Sequence, residues 1–502
     1  MTTPAQQRST DNEERTTVPR CPHFGPCGGC QLQHLAYPAQ LQLKAEQLRA
    51  LLAKHDFLCG SGAEESASAR LPEIQVHPSP PFAYRNRIRL TLAEVDGQLR
   101  AGYISRPADK TGCPTSGFPD VGLANDDGLN ANPETPGIAF LPITQCPIAT
   151  PILWRAAEAF LALANRQSGL WLRGPQHALD QLELFTTADE SLLQLSVYLR
   201  ARTKSRKKAG CPTSGFSDVG PAFTALCETL RTRIPELAGA GSFLLPPKSA
   251  QRSRRAEQPR PGPTWGAPGL NYTVPTPNES ITTHERIATQ DKVVILPPTL
   301  SLPKGKGKNP RISPLPLPVP QLTTDNQQLP TAFWVPRGAF FQINRFLIPE
   351  LLSLVTANRT GQLAWDLYAG VGLFSRALAP HFDRITAVEI AEPAAGALAA
   401  TGLVNLRAVK ATTLDFLRAA VVERDRPDLI VLDPPRSGAG PEVCELLARI
   451  AAPTLIYVSC SPEVLPADLV TLAASGYRID ALHLLDLFPQ TTHIETVAIL
   501  TR

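Results

Sequence analysis

Two residues near the carboxyl end carry the sharpest chemistry in the chain: Cys460, in Tyr457-Val458-Ser459-Cys460-Ser461-Pro462, and Glu495, in His493-Ile494-Glu495. Cys460 follows the apolar run TLIYVS and so stands at the carboxyl end of a strand, where a thiolate can meet a ligand lying over a sheet. Taken alone, it reads equally as a small core residue. His493 and Glu495, put on one face by strand alternation, read equally as an exposed edge pair. Together the cysteine and the carboxylate supply a nucleophile and a proton acceptor. Addition of a thiolate to C6 of uracil makes an enolate whose otherwise unreactive C5 can take a methyl group from a sulfonium. A base must then remove the C5 proton so that the thiolate can leave.

A second set of residues suits the methyl donor. Ala364-Trp365-Asp366-Leu367-Tyr368-Ala369-Gly370-Val371-Gly372 reads as a strand running into a glycine turn and a helix, and the strand ITAVEI after it ends in Glu389. Glycines let a ligand approach the backbone, and an acid at the tip of the second strand can accept both ribose hydroxyls. With two glycines and the third position replaced, the turn fits S-adenosylmethionine better than a pyrophosphate. Asp433, in Leu432-Asp433-Pro434-Pro435-Arg436, follows the strand DLIV and is stiffened by two prolines. Arg436 stands where amino-methyltransferases carry an aromatic, which argues for a different target atom.

The elements that must position these groups follow from the alternation of apolar strands with helical segments from Thr331 onward, which predicts a doubly wound α/β sheet over 331–502. Upstream, alternating runs such as IRLTLAEV and LRAGYI predict a β-rich central domain over 72–330, with a Pro-rich basic linker at about 246–330 containing RSRR and KGKGK. KTGCPTSGFPDVG at 110–122 returns as KAGCPTSGFSDVG at 208–220, read as two tolerated surface insertions with Cys113 and Cys211 as bystanders. Residues 1–20 are expected to be disordered, and 21–71 form a cysteine-cluster region with a helix from Tyr37 to Leu52. Of 502 residues 43% are hydrophobic and 50 are proline, enough apolar mass for several cores with extended chain between them. No stretch is long and apolar enough to cross a bilayer and the amino terminus is polar, so a cytoplasmic protein with no membrane partner is expected. A net charge of +4 is compatible with a polyanionic partner and decides little.

These motifs as a set resemble the RNA (uracil-5-)-methyltransferases that act on tRNA and 23S rRNA, a likeness covering nearly all of 331–502 and including Phe340-Phe341-Gln342-Ile343-Asn344. The resemblance implies a class I methyltransferase sheet and a covalent mechanism, with Gln342, Tyr368, Gly370, Glu389 and Asp433 lining S-adenosylmethionine, Cys460 as nucleophile and Glu495 as proton acceptor. Cys21, Cys27 and Cys30, spaced C-x5-C-x2-C, resemble the iron–sulfur branch of the family. That likeness implies a [4Fe-4S] cluster with Cys146 as fourth ligand and Cys59 in reserve, while zinc also accepts four thiolates. Tyr84-Arg85-Asn86-Arg87 matches the family's run at the start of the β-domain, where the arginines either bind phosphates or decorate a strand.

Three departures stand out: no small β-barrel ahead of Cys21, no acid in Lys410-Ala411-Thr412-Thr413, and Ser461 where asparagine is usual. The implied substrate is structured RNA, 23S rRNA ahead of tRNA, acted on by a monomer. Alternatives are a tRNA uridine-5 enzyme, an RNA cytosine-5 methyltransferase, whose Pro-Cys pair is missing from this domain, and a non-catalytic iron–sulfur RNA-binding protein.

Overall fold

The computed structural model describes residues 16–55, 71–105, 139–166, 177–201, 219–245, 259–274, 332–357 and 359–502. Cys59, Cys113, Cys211 and the basic runs at 252–255 and 304–308 lie outside the described residues. So does the first expectation, disorder over 1–20, for all but its last five positions.

Helix α1 (Tyr37–Leu52) forms where the sequence predicts it, entered through Pro38 and burying Leu41, Ala45, Leu48 and Leu52. Strand β1 (Ile74–His77) follows. Next come β2 (Arg87–Val95), β3 (Gln98–Ser105), β4 (Ala139–Pro142), α2 (Pro151–Arg166), β5 (His177–Thr186), β6 (Leu193–Ala201), α3 (Val219–Arg231), β7 (Leu237–Leu245) and β8 (Arg260–Gly266). Strands β2 to β8 make a seven-stranded sheet in the order β4-β3-β2-β5-β6-β7-β8. The alternation of β2, β5 and β6 turns Ile88, Leu90, Leu182, Leu184, Leu195 and Val197 to one face, where Leu153 and Phe160 of α2 and Phe223 of α3 cover them.

Strand β9 (Gly269–Thr273) pairs with β10 (Ala332–Pro336) in an antiparallel ribbon. The remainder alternates: α4 (Ile348–Thr356), β11 (Gly361–Leu367), α5 (Leu373–Leu378), β12 (Phe382–Val388), α6 (Ala394–Ala399), β13 (Leu406–Val409), α7 (Thr413–Glu423), β14 (Leu429–Leu432), α8 (Pro441–Ile450), β15 (Thr454–Ser459), α9 (Leu465–Ala474), β16 (Arg478–Leu485) and β17 (Glu495–Thr501). The resulting eight-stranded sheet runs β1-β16-β17-β15-β14-β11-β12-β13. Its central strand β14, Leu-Ile-Val-Leu, is buried throughout, as a parallel strand covered on both faces must be. One face carries Trp365, Ile430 and Leu455; the other carries Ala364, Val431 and Ile456.

The α/β expectation holds, and three details differ from the sequence reading. The sheet is not wholly parallel, because β17 runs antiparallel to both β15 and β16. Strand β1, grouped by the sequence with the central domain, pairs in parallel with β16 and shares a core with α1, so apolar contact carries the amino-terminal region onto the edge of the C-terminal sheet. The stretch taken as linker from about 246 contains β8 and β9, since Trp265, Leu270 and Tyr272 find packing partners there.

Candidate active site

Strand register lines up the residues singled out above. Leu367 pairs with Val388 on one side and Leu432 on the other. Tyr368, Glu389 and Asp433, each one position later, therefore leave three adjacent strands side by side at the carboxyl edge of the sheet. The turn after β11 needs its glycines: Gly370 has φ +56° and Gly372 φ +88°, and a Cβ at Gly372 would come within 2.8 Å of Leu398. Tyr368 itself is left-handed, φ +62°, a strain of order 1–3 kcal/mol of the kind that collects at ligand sites. Glu389 sits close beneath this turn, its carboxylate accepting from the Gly370 N–H at 2.9 Å and the Ala391 N–H at 2.6 Å.

Asp366 was not singled out by the sequence reading. Its Oδ2 accepts from the Ser375 backbone N–H at 2.7 Å and its hydroxyl at 2.5 Å, while Oδ1 is buried without a partner. Burial is the main cause that pushes its carboxyl up to about 7. An acid within an otherwise apolar buried strand was the available signal. Half-buried Asp433 is also pushed up to about 7, by burial and then by Asp366. An unpaired buried carboxylate oxygen and a glycine cradle are what a cationic, ribose-bearing ligand would fill, so these residues fit S-adenosylmethionine.

Cys460 and Glu495 come together by pairing. Ser459 lies opposite Thr496 across β15 and β17, so the register continued one step sets Cys460, just past the end of β15, beside Glu495, the first residue of β17. Cys460 is half-buried and Glu495 is 3% exposed. Glu495 is raised well above the usual carboxylate range by burial and by Asp433, with Arg436 pulling the other way. His493 precedes β17 rather than belonging to it, so the alternation that put it on one face with Glu495 does not apply. Its ring packs on Phe488, and burial followed by Arg436 pushes it down to about 3. Arg436 thus reaches both groups.

The loop that carries Asp433 and Arg436 has its own clamp. Asp468 accepts from the Tyr457 hydroxyl at 2.6 Å and the Ala439 N–H at 2.8 Å, and a Cβ at Gly438 would come within 2.7 Å of its carboxylate. The Lys410–Thr413 stretch ends as a helix cap, Thr412 accepting from the Asp415 N–H at 3.1 Å.

Tyr84 and Asn86 are fully buried, and Arg87, one of the two candidate phosphate ligands, is turned inward, over the Phe185 ring and 3.6 Å from Glu183. The Tyr84 hydroxyl donates to the Pro489 carbonyl at 3.0 Å; the Asn86 amide donates to the Gln342 carbonyl at 2.9 Å and the Tyr272 hydroxyl at 3.1 Å. Gln342 is buried in a segment this contact fixes, and Phe341 is a core aromatic against Tyr272, centroids 4.5 Å apart. Asn344 donates to the Ser79 hydroxyl and to the Leu487 carbonyl, at 2.9 and 3.1 Å. Both motifs therefore serve as clamps on the segment ahead of Glu495, a role that requires contacts hundreds of residues apart.

The amino-terminal cysteines are drawn toward Cys146. His23 Nε2 accepts from the Thr144 N–H at 3.0 Å and lies 2.9 Å from its hydroxyl, so the loop of Cys21, Cys27 and Cys30 is tied two residues from Cys146. Burial is the leading cause that pushes the thiols up, Cys27 to about 11 and Cys30 to about 12; Cys146 adds to both shifts and Arg85 opposes them. None of the four is in a disulfide. The donor set fits a thiophilic metal group in chemistry. Among the described residues no group of three or more His, Cys, Asp or Glu is already gathered closely enough to hold a metal ion. Among the described residues no helix is long and apolar enough to cross a membrane.

Comparison with known proteins agrees with this arrangement. Residues 326–502 match the family model described as tRNA (Uracil-5-)-methyltransferase. An uncharacterized RNA methyltransferase of Thermotoga maritima is 39% identical over 177 residues, 34% of this chain and 40% of that protein. A 23S rRNA (uracil(747)-C(5))-methyltransferase of Yersinia pestis is 34% identical over 189 residues, 36% of this chain and 49% of that protein. The chain thus matches less than half the length of these relatives. The Pyrococcus abyssi tRNA (uracil-54, C5)-methyltransferase in complex with S-adenosyl-L-homocysteine superposes with a TM-score of 0.55 at 18% identity, covering 95% of this chain and 86% of that one, a likeness of fold.

Proposed function

We propose that the chain, whose residues 326–502 match the tRNA (Uracil-5-)-methyltransferase family model, transfers a methyl group from S-adenosylmethionine to C5 of a uridine in structured RNA. 23S rRNA is the favoured substrate over tRNA, and the enzyme acts in the cytoplasm as a monomer. The observation that supports this best is the Ser459–Thr496 register, which sets Cys460 and Glu495 next to each other where β15 ends and β17 begins, at the edge where Glu389 and Asp433 leave the sheet.

Bound S-adenosylmethionine supplies an electrophilic methyl on a positively charged sulfur. Gly370 and Tyr368 leave room for it at the turn, Gln342 flanks it, Glu389 accepts ribose hydroxyls, and Asp433 offers negative charge. The uridine must be flipped from its stack, since C6 is closed to a side chain while the base is paired. Cys460 Sγ then forms a bond to C6, and the displaced π pair makes C5 nucleophilic. Once C5 carries the methyl, Glu495 takes the C5 proton, and the C5–H electron pair re-forms the double bond as the C6–S bond breaks. Glu495 suits this step better than His493: its carboxylate is made more basic by burial and Asp433, whereas His493, pushed down to about 3, is a weak base.

We propose further that Cys21, Cys27, Cys30 and Cys146 hold a [4Fe-4S] cluster of structural rather than catalytic role, remote from methyl transfer. Binding would draw the protons from thiols that burial otherwise keeps neutral. Iron and sulfide analysis of protein purified without air tests this, and stoichiometric zinc in place of iron overturns it.

RNA containing 5-fluorouridine tests the main reading, because fluorine at C5 cannot leave as a proton and the adduct persists. A covalent protein–RNA band is expected with the intact chain and none with Cys460→Ala. No band with either protein leaves a non-catalytic RNA-binding role as the better account. Mapping 5-methyluridine in total RNA with and without the gene then identifies the substrate, and a change confined to tRNA overturns the rRNA assignment.

A further inference from the structure

The segment from Asp486 to Ile494 joins β16 to β17 and delivers Glu495 to its place. Little of what holds it comes from the sheet. The backbone N–H groups of Gln31 and Leu32, immediately after Cys30, both donate to the Gln490 carbonyl at 3.0 Å. The Gln31 side chain bridges the two regions: its amide donates to the Gly28 carbonyl at 2.7 Å, between Cys27 and Cys30, and its Oε1 accepts from the Thr492 N–H at 3.2 Å. Fully buried Gln40 pairs reciprocally with Gln490, accepting from its N–H at 3.0 Å and donating to its side-chain oxygen at 3.1 Å. Gln490 is held left-handed, φ +69°, a conformation a glutamine keeps only when its surroundings enforce it.

We propose that Gln31 and Gln40 are positioning residues that lock the Asp486–Thr492 segment, and through it Glu495, to the cysteine-bearing segment, so that the proton-removal step depends on the amino-terminal region. The inference rests on the reading of Glu495 as the proton acceptor. It gives the cysteine segment a part in the reaction that needs no contact with RNA or cofactor. Addition of Cys460 to C6 depends on β15 and does not draw on this brace, whereas proton removal does. A loosened brace therefore separates the two steps, which general misfolding would not do.

Gln31→Leu removes the bridge while keeping side-chain size. With an unmodified 23S rRNA transcript carrying 5-fluorouridine, its covalent adduct is expected to form as in the intact chain. With the natural transcript, a methyl-bearing covalent complex should accumulate on denaturing gels and release of 5-methyluridine RNA should slow about tenfold, the scale of a sub-ångström misplacement of a reacting group. Gln31→Glu keeps the acceptor for the Thr492 N–H and should recover most of the release rate. Amide hydrogen exchange should quicken in peptides spanning 486–495 of Gln31→Leu and stay unchanged in those spanning β14. Unchanged release, or a parallel loss of adduct formation and release, overturns the inference. Should Gln31→Leu fail to fold, Gln31→Ala is read in the same way. If the intact chain gives no adduct with either RNA, the activity reading fails and the inference falls with it.

Discussion

The carboxyl edge of the C-terminal sheet and the cysteine-bearing amino-terminal segment both gather chemistry-bearing side chains, and they do so by different means. At the sheet edge, ladder register does the placing: once Leu367 pairs with Val388 and Leu432, and Ser459 with Thr496, the positions of Tyr368, Glu389, Asp433, Cys460 and Glu495 follow. In the cysteine segment the placing is done by a few separate hydrogen bonds to distant parts of the chain: His23 to Thr144, Gln31 to Thr492, and the Gln31 and Leu32 N–H groups to the Gln490 carbonyl. Backbone pairing is robust to change at any one side chain; a set of single bonds is not. The first region is set by a ladder, and the second by separate bonds.

The sharpest way to break the comparison is at Cys460. Cys460→Ala should abolish both adduct and methylation, with far-UV dichroism unchanged, because β15 is paired along its backbone; residual turnover within about tenfold of the intact chain would remove the thiolate from the mechanism. Glu495→Gln comes next. It should keep the 5-fluorouridine adduct and slow release of methylated RNA by about 10²–10⁴-fold, the range of general base catalysis. Loss of the adduct together with release would mean that Glu495 serves addition rather than proton removal.

The same contrast explains what was legible in the sequence. Glu389, Asp433 and Cys460 each follow an apolar strand, and a strand end in an α/β sheet points to the ligand crevice, so local pattern sufficed. His493 was misplaced because alternation was extended two residues ahead of the start of β17, into a turn made by the Thr491 hydroxyl accepting from the His493 N–H. Strand β1 was assigned to the wrong domain because four residues, Ile-Gln-Val-His, do not say which sheet edge they join. Whether Arg87 binds phosphate or decorates a strand stayed open because nothing local shows that Glu183 and the Phe185 ring receive it. Asp366 went unremarked although an acid in a buried strand is a local anomaly. Periodicity reports burial, whereas long-range polar pairing leaves almost no trace in a single chain.

Lys44 and Asp486 sharpen the comparison from the stability side. Both side chains are 0% exposed and 2.6 Å apart, and Lys44 also donates to the Phe488 carbonyl at 3.0 Å while Tyr37 donates to Asp486 at 2.9 Å. Burial pulls the Lys44 ammonium below its usual value against the opposing pull of Asp486, so the pair is stable only as a pair. Lys44→Met should cost about 3–5 kcal/mol in denaturant unfolding by leaving buried Asp486 without its counter-charge, and Lys44→Met with Asp486→Leu should recover much of it. Additive losses in the double variant would show that the ion pair does not join α1 to the segment ahead of Glu495.

The smallest expected effect is on cofactor affinity, and it belongs to the sheet edge alone. Asp433 and Asp366 are each pushed up to about 7, by burial first and then, for Asp433, by the other carboxylate. Below that pH the neutral forms dominate in the empty site, and a cationic sulfonium must displace a proton to gain its counter-charge. Affinity for S-adenosylmethionine should therefore fall as the pH drops, by about tenfold between pH 8 and pH 6 if one proton is displaced. S-adenosyl-L-homocysteine, whose sulfur is uncharged, should lose less over the same interval, and Asp433→Asn should flatten the dependence. Calorimetric titration at the two pH values in buffers of different ionisation enthalpy reads both the affinity and the proton released. An affinity independent of pH would mean that Asp366 and Asp433 are already ionised before the ligand binds.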